Sequence, residues 1–261
     1  MTKFLTKQTK RSWRLIMVMA AVLAVIIFIY LNRAYSHIYS ELGQADLKPS
    51  DNVGHYVIGS SVASSTRSLL YVALGDSLTA GVGTEKYEYS YPYQVAQSLA
   101  GDTRRVALED FGIPGERTKG LLADVVPLAI NEQPDVITIL IGVNDIHGNI
   151  SAAVFRSNYD SILSRLTKET KAKIYIINIP FLGASSLMLP PYQAYFDYQT
   201  KEFNSIISEL AAKYKLDYID LYTPTVGLFK KPGSQYSADL FHPSASGYKI
   251  WAKIIYDSIN H

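Results

Sequence analysis

Cysteine is absent from the 261-residue sequence, which removes disulfide frameworks, thiolate nucleophiles and every zinc or iron–sulfur site built on cysteine ligands. Histidine is scarce: His37, His55, His147, His242 and His261 are scattered and show no His-Glu-x-x-His or comparable spacing, so no metal is expected. Glycine (16) and proline (11) are too few, and hydrophobic residues (48%) too many, for a collagen-like or wholly disordered chain, and no internal period marks a repeat array. Acidic residues are missing from the first 33 positions, which carry Lys3, Lys7, Lys10, Arg11, Arg14 and Arg33. Of the 25 basic residues six lie there, so the remainder sets 19 against 23 acidic ones. A mildly acidic body argues against nucleic acid as a partner, because such binders carry their basic excess on the folded domain.

The basic leader has another reading. Residues 15–31, LIMVMAAVLAVIIFIYL, contain no charge or amide. As a helix they cover about 25 Å, close to the roughly 30 Å of bilayer hydrocarbon once Trp13 and Tyr30 reach the interfaces. Five positive charges precede the run, so the positive-inside rule puts residues 1–14 in the cytoplasm as a basic tail and the rest outside. A cleaved signal peptide, with secretion of the product, is the alternative. It is disfavoured because its apolar core is usually 7–15 residues and Ala34-Tyr35-Ser36, beside Arg33, is a poor cleavage site. From 32 to 66 glycines, Pro49 and a serine-rich run break any period, which predicts a stalk, with the folded domain spanning 67–261.

Within that domain, near-continuous apolar runs at Leu69–Leu74, Asp135–Ile141, Ile174–Ile179 and Tyr218–Leu221 predict strands buried on both faces. Helical patterns lie between and after them at Tyr91–Ala100, Thr118–Asn131, Val154–Thr170, Tyr192–Tyr214 and Ser244–Ile259. Alternation of this kind predicts an α/β fold, a parallel sheet covered on both faces, whose ligands sit at the carboxyl ends of the strands.

Three strand-end or helix-start segments carry candidate chemistry. Gly75-Asp76-Ser77-Leu78 follows the first strand, where a serine hydroxyl can project above the sheet; an ordinary helix N-cap is the alternative. It is neither the Gly-x-Ser-x-Gly elbow, because Thr79 replaces the second glycine, nor a phosphate-binding P-loop. Gly142-Val143-Asn144-Asp145 follows the Asp135 strand, and Asn144 can aim an N–H at a developing oxyanion or merely close an Asx turn. Asp239-Leu240-Phe241-His242 precedes the last helix, with a carboxylate three residues from an imidazole whose tautomer it can hold.

Together with Gly115, these blocks resemble, in order, those of the GDSL esterases and lipases, or SGNH hydrolases, over roughly residues 68–259. The resemblance implies a flavodoxin-like three-layer α/β/α sandwich. It implies Ser77 as nucleophile, His242 as general base and Asp239 as its orienter. It also implies an oxyanion hole of the Ser77 and Gly115 backbone N–H groups and the Asn144 side chain, with no cofactor. The glycine block 110–118 departs from the family pattern at Asp110, where asparagine is frequent, and leaves Gly112 as a rival donor to the preferred Gly115.

Tyr87, Tyr89, Tyr91 and Tyr93, and the stretch Pro190-Pro191-Tyr192 with Tyr195, Phe196 and Tyr198, are read as packing in preference to a substrate platform. His147 is read as an exposed loop residue. The expected activity is hydrolysis of lysophospholipid-like or O-acyl and O-acetyl envelope esters. An acyltransferase with the same triad and a silent tethered binding module are the alternatives.

Overall fold

The computed structural model describes residues 2–44, 54–59, 68–102 and 104–260. Six strands form one sheet: β1 (His55–Ile58), β2 (Leu69–Gly75), β3 (Val106–Gly112), β4 (Val136–Leu140), β5 (Lys173–Ile177) and β6 (Asp217–Ile219), in the order β1-β3-β2-β4-β5-β6. Strands β2 to β6 are parallel and β1 runs antiparallel on the β3 edge. Setting β1 aside, the order is the flavodoxin-like 2-1-3-4-5, and its switch point falls between the carboxyl ends of β2 and β4.

Layers follow from burial. The central strand β4, Val-Ile-Thr-Ile-Leu, is buried at every position, as β-branched residues covered on both faces should be. On one face α2 (Tyr91–Ala100) packs against α9 (Ala245–Ile259); on the other α6 (Ala152–Glu169) packs against α7 (Tyr192–Tyr214) and α4 (Val126–Glu132). Ser90, Ser151 and Ser244 cap α2, α6 and α9 by accepting from the N–H three residues on, satisfying donors that no turn of helix can. Between α3 (Thr118–Gly120) and α4 one π-helical turn, Leu121–Val125, interrupts the continuous helix expected there. Short helices α5 (Val143–His147) and α8 (Tyr222–Phe229) complete the domain.

The stalk expected over 32–66 is corrected wherever it is described. Helix α1 runs unbroken from Thr2 to Gln44, and His55–Ile58 pair with Val106–Glu109 as part of the sheet, so the domain starts before residue 67. Residues 45–53 and 60–67, the rest of that segment, lie outside the described residues. Ala34, Tyr35, Ile38 and Tyr39 recur at helical spacing, and Ala34 and Ile38 are buried, so this end of α1 is held by tertiary packing. Its apolar part, Trp13 to Tyr30, is exposed. Among the described residues one helix, over Lys10–Glu41, is long and apolar enough to cross a membrane.

Candidate active site

The end of β2 is shaped by close approach. A Cβ on Gly75 would stand 2.0 Å from the Thr79 hydroxyl and 2.4 Å from the Leu140 carbonyl, so only glycine lets the chain turn here. Asp76 then holds the turn: its carbonyl accepts from the Thr79 and Ala80 N–H groups and its Oδ1 from the Leu78 N–H. Ser77 is thereby presented at the carboxyl end of the sheet, 7% exposed, with its carbonyl engaged by the Val82 N–H.

From the other side the loop before α9 delivers the imidazole. Asp239 Oδ1 accepts from the Ser237 hydroxyl and from the Phe241 and His242 N–H groups, at 2.7, 2.9 and 2.9 Å. Its Oδ2 lies 2.5 Å from His242 Nδ1, and His242 Nε2 lies 2.9 Å from Ser77 Oγ. With Nδ1 facing a carboxylate, that nitrogen carries the hydrogen and Nε2 accepts from the serine. Burial pushes the Asp239 carboxyl up, but the His242 imidazole, the Ser237 hydroxyl and the Phe241 N–H outweigh it and hold the group below its ordinary value. It is therefore ionised at neutral pH.

The opposite wall is made by the ends of β3 and β4, which are tied together. Asp145 accepts from the Thr118 N–H and hydroxyl at 2.9 and 2.6 Å, and the Asn144 amide donates to the Glu116 carbonyl at 3.0 Å. Gly115 has φ +81° and open space where a Cβ would be, and it lines the cavity that holds Ser77, Asn144 and His242. Gly112 instead packs on the serine turn, where a Cβ would lie 2.3 Å from the Ala80 nitrogen. Of the two rival glycines, Gly115 is thus the one that faces the site. The cavity measures about 490 Å³ and also touches Tyr39, Arg117 and Phe241.

Two further buried carboxyls support these loops. Burial pushes both Asp76 and Asp110 up to about 7. Asp110 accepts from the Tyr87 hydroxyl and from the Gly112 N–H at 2.7 Å, and neither bond requires a charge. A carboxyl raised in the folded state binds more protons folded than unfolded between about pH 4 and 7, so its contribution to stability falls as pH rises through that window. Asp110→Asn should therefore stabilise the protein more at pH 8 than at pH 5. A difference on the order of 1 kcal/mol, about 3 °C in Tm, is expected by calorimetry at the two pH values.

Of the residues singled out in the sequence, Ser77, Asp239, His242, Gly115 and Asn144 converge on one cavity. His147 does not behave as expected: it ends α5, half-buried between the Phe196 and Phe241 rings at 4.4 and 5.2 Å, and burial lowers its pKa to about 4. Tyr87 and Tyr91 are core residues, Tyr93 packs on Tyr56 and Tyr87, and Tyr89 lies away from the site. Sequence reasoning missed Tyr39 on the cavity wall, whose i, i+4 spacing from Tyr35 puts the two on one helix face without saying what that face meets, and it missed the loop-tying role of Asp145.

A serine hydroxyl, an imidazole and a carboxylate in this order can move a proton away from the serine as its oxygen attacks a carbonyl. Comparison with known proteins places the chain among ester hydrolases. Residues 73–250 match the model of the GDSL-like lipase/acylhydrolase family. The spore germination lipase LipC of Bacillus licheniformis is 27% identical, over 71% of this chain and 94% of its own. A lipase/acylhydrolase from Enterococcus faecalis is also 27% identical, superposes with a TM-score of 0.60, and is covered over 95% of its length by 73% of this chain. The esterase EstA from Pseudoalteromonas sp., at 19% identity and a TM-score of 0.57, shares the fold over 73% of this chain and 96% of its own.

Proposed function

Because the chain belongs to the GDSL-like lipase/acylhydrolase family and is a carboxylic ester hydrolase, we propose that it works through Ser77, His242 and Asp239 from a membrane-anchored position. The observation that carries this reading is the unbroken chain Asp239–His242–Ser77, facing Gly115 and Asn144 across one cavity.

In the proposed reaction His242 Nε2 takes the Ser77 proton as Oγ bonds to the ester carbonyl carbon, and the carbonyl oxygen becomes an oxyanion. The N–H groups of Ser77 and Gly115 and the amide of Asn144, released from the Glu116 carbonyl, stabilise that charge. His242 then protonates the departing alkoxide, leaving an acyl-serine. A water molecule, deprotonated by the same nitrogen, resolves it to the carboxylic acid and free serine. Asn144→Ala should cost about 10²–10³ in kcat with KM little changed, the loss typical of one oxyanion donor. Steady-state kinetics would detect it.

Anchoring rests on the basic-led apolar run of α1, with the N-terminus cytoplasmic and the hydrolase outside. A site held there favours esters of the envelope: lysophospholipid-like lipids or O-acyl and O-acetyl glycans. The test is hydrolysis of p-nitrophenyl esters from acetate to palmitate by the full chain in detergent, with Ser77→Ala alongside. Serine-dependent release of the acid supports the reading. Product that forms only when an alcohol acceptor is added would replace it with an acyltransferase.

A further inference from the structure

The anchor helix does not merely end where the hydrolase begins. It docks on it. The Tyr30 hydroxyl donates to the Pro190 carbonyl at 2.8 Å, the Tyr192 hydroxyl donates to the Leu31 carbonyl at 3.2 Å, and His37 Nε2 lies 3.0 Å from the Ser186 carbonyl. The Tyr35 and Tyr192 rings meet at 6.0 Å. Contact thus starts at the last turn of the apolar run, so an α1 anchored as proposed above would set the enzyme body against the bilayer surface.

Between α1 and the segment that leads into α7 lies a second cavity of about 210 Å³. It is walled by Tyr35 and Ile38 on the anchor side and by Met188, Tyr192 and Phe196 on the other. Tyr39 and His147 line both this slot and the cavity of Ser77, so the two adjoin. His147 is held uncharged near neutral pH by burial and stands between aromatic rings, so the shared wall carries no charge. Tyr39 stands eight residues beyond Leu31, about 12 Å further along the helix axis.

We infer that this slot between the anchor helix and the hydrolase domain holds the acyl chain of a membrane-resident ester, so that residues 35–39 of the anchor are part of the substrate site. The inference rests on the serine-hydrolase reading above. Its physical basis is distance. An ester whose chain lies in the bilayer must rise by roughly 12 Å to reach the height of Tyr39. Every methylene that crosses water unsheltered weakens binding by about fourfold. An apolar slot between the docked end of α1 and the hydrolase, adjoining the serine cavity, shelters that path, which a glycan acetyl ester would not need.

The experiment uses the full chain in detergent micelles and two substitutions that fill the slot from opposite walls, Ile38→Trp on the anchor and Tyr195→Trp on the hydrolase, where Tyr195 also lines it. The readout is the ratio of kcat/KM for p-nitrophenyl laurate to that for the acetate. Each substitution should lower this ratio by about tenfold or more, as expected when a few methylenes lose apolar contact. Tyr198→Trp, on an exposed part of α7 away from the slot, should leave it unchanged. Because the two slot variants alter different elements, misdocking of α1 in one leaves the other informative. An unchanged ratio in both, with ester hydrolysis intact, would overturn the slot and leave the hydrolase standing. Absence of serine-dependent hydrolysis at every chain length would instead remove the reading beneath it.

Discussion

Ser77→Ala is expected to lower kcat for ester hydrolysis by about 10⁵-fold or more, with KM and thermal stability little changed. The size of the effect follows from the role proposed for the hydroxyl: among the described residues Ser77 Oγ is the oxygen hydrogen-bonded to His242 Nε2, and alanine leaves nothing in its place to attack the carbonyl. Stability is spared because the turn does not depend on the side chain. Asp76 holds it through its carbonyl and carboxyl, and the Ser77 backbone carbonyl accepts from Val82. What survives in the variant is the rate supplied by oxyanion donors and binding alone, about 10³–10⁴ over water in enzymes of this design. Steady-state assay with p-nitrophenyl butyrate, paired with a melting curve, tests both halves. Retention of more than about 1% of the activity would remove Ser77 from the mechanism.

The second large effect belongs to Asp239→Asn, for which a fall of about 10⁴ in kcat is expected. Asparagine is the informative replacement. It can keep an oxygen toward the Ser237 hydroxyl and the Phe241 and His242 N–H groups, so the tight turn survives. The amide nitrogen then faces His242 Nδ1 and donates to it. That forces the hydrogen onto Nε2, the atom 2.9 Å from Ser77 Oγ, and an Nε2 that already bears hydrogen accepts no proton from serine. Asp239→Ala would be harder to read, since it strands four donors, the Ser237 hydroxyl, the Phe241 and His242 N–H groups and the His242 Nδ1–H, each costing about 1–3 kcal/mol when buried without a partner. Kinetics of the asparagine variant, with circular dichroism to establish the fold, measures the tautomer effect alone. Near-wild-type turnover would mean that Asp239 does not orient the imidazole.

How far the sequence foretold this structure depends on whether the signal was local. Strands β2, β4 and β5 and helices α2 and α7 were legible, because near-continuous apolar runs and amphipathic patterns are local and strong. Strand β3 was not. Val-Ala-Leu-Glu-Asp-Phe-Gly places Glu109 and Asp110 inside the pattern, and Asp110 is tolerated there because the Tyr87 hydroxyl reaches it from elsewhere in the chain and the Gly112 N–H from two residues on. Strand β1 is four residues long and exists only by pairing with β3.

The site followed the same division. Ser77, Asn144 and His242 sit in short motifs at strand ends or just before a helix, where chemistry can be read residue by residue. The choice between Gly112 and Gly115 needed coordinates, since only packing against Ala80 removes the first from the cavity wall. His147 and Tyr39 escaped for a related reason. A histidine three residues past a motif and a tyrosine eight past an apolar run gain meaning only when α7 and α1 fold back beside the serine.

The central claim, that Ser77 is a nucleophile activated by His242, is tested most directly by covalent capture. The full chain is incubated with an alkyl fluorophosphonate and digested, and the modified peptide is sequenced by mass spectrometry. The account predicts one adduct, on Ser77, formed rapidly by the wild type and far more slowly by Asp239→Asn. Labelling of a different residue, or no labelling of a folded protein that still hydrolyses esters, would contradict it.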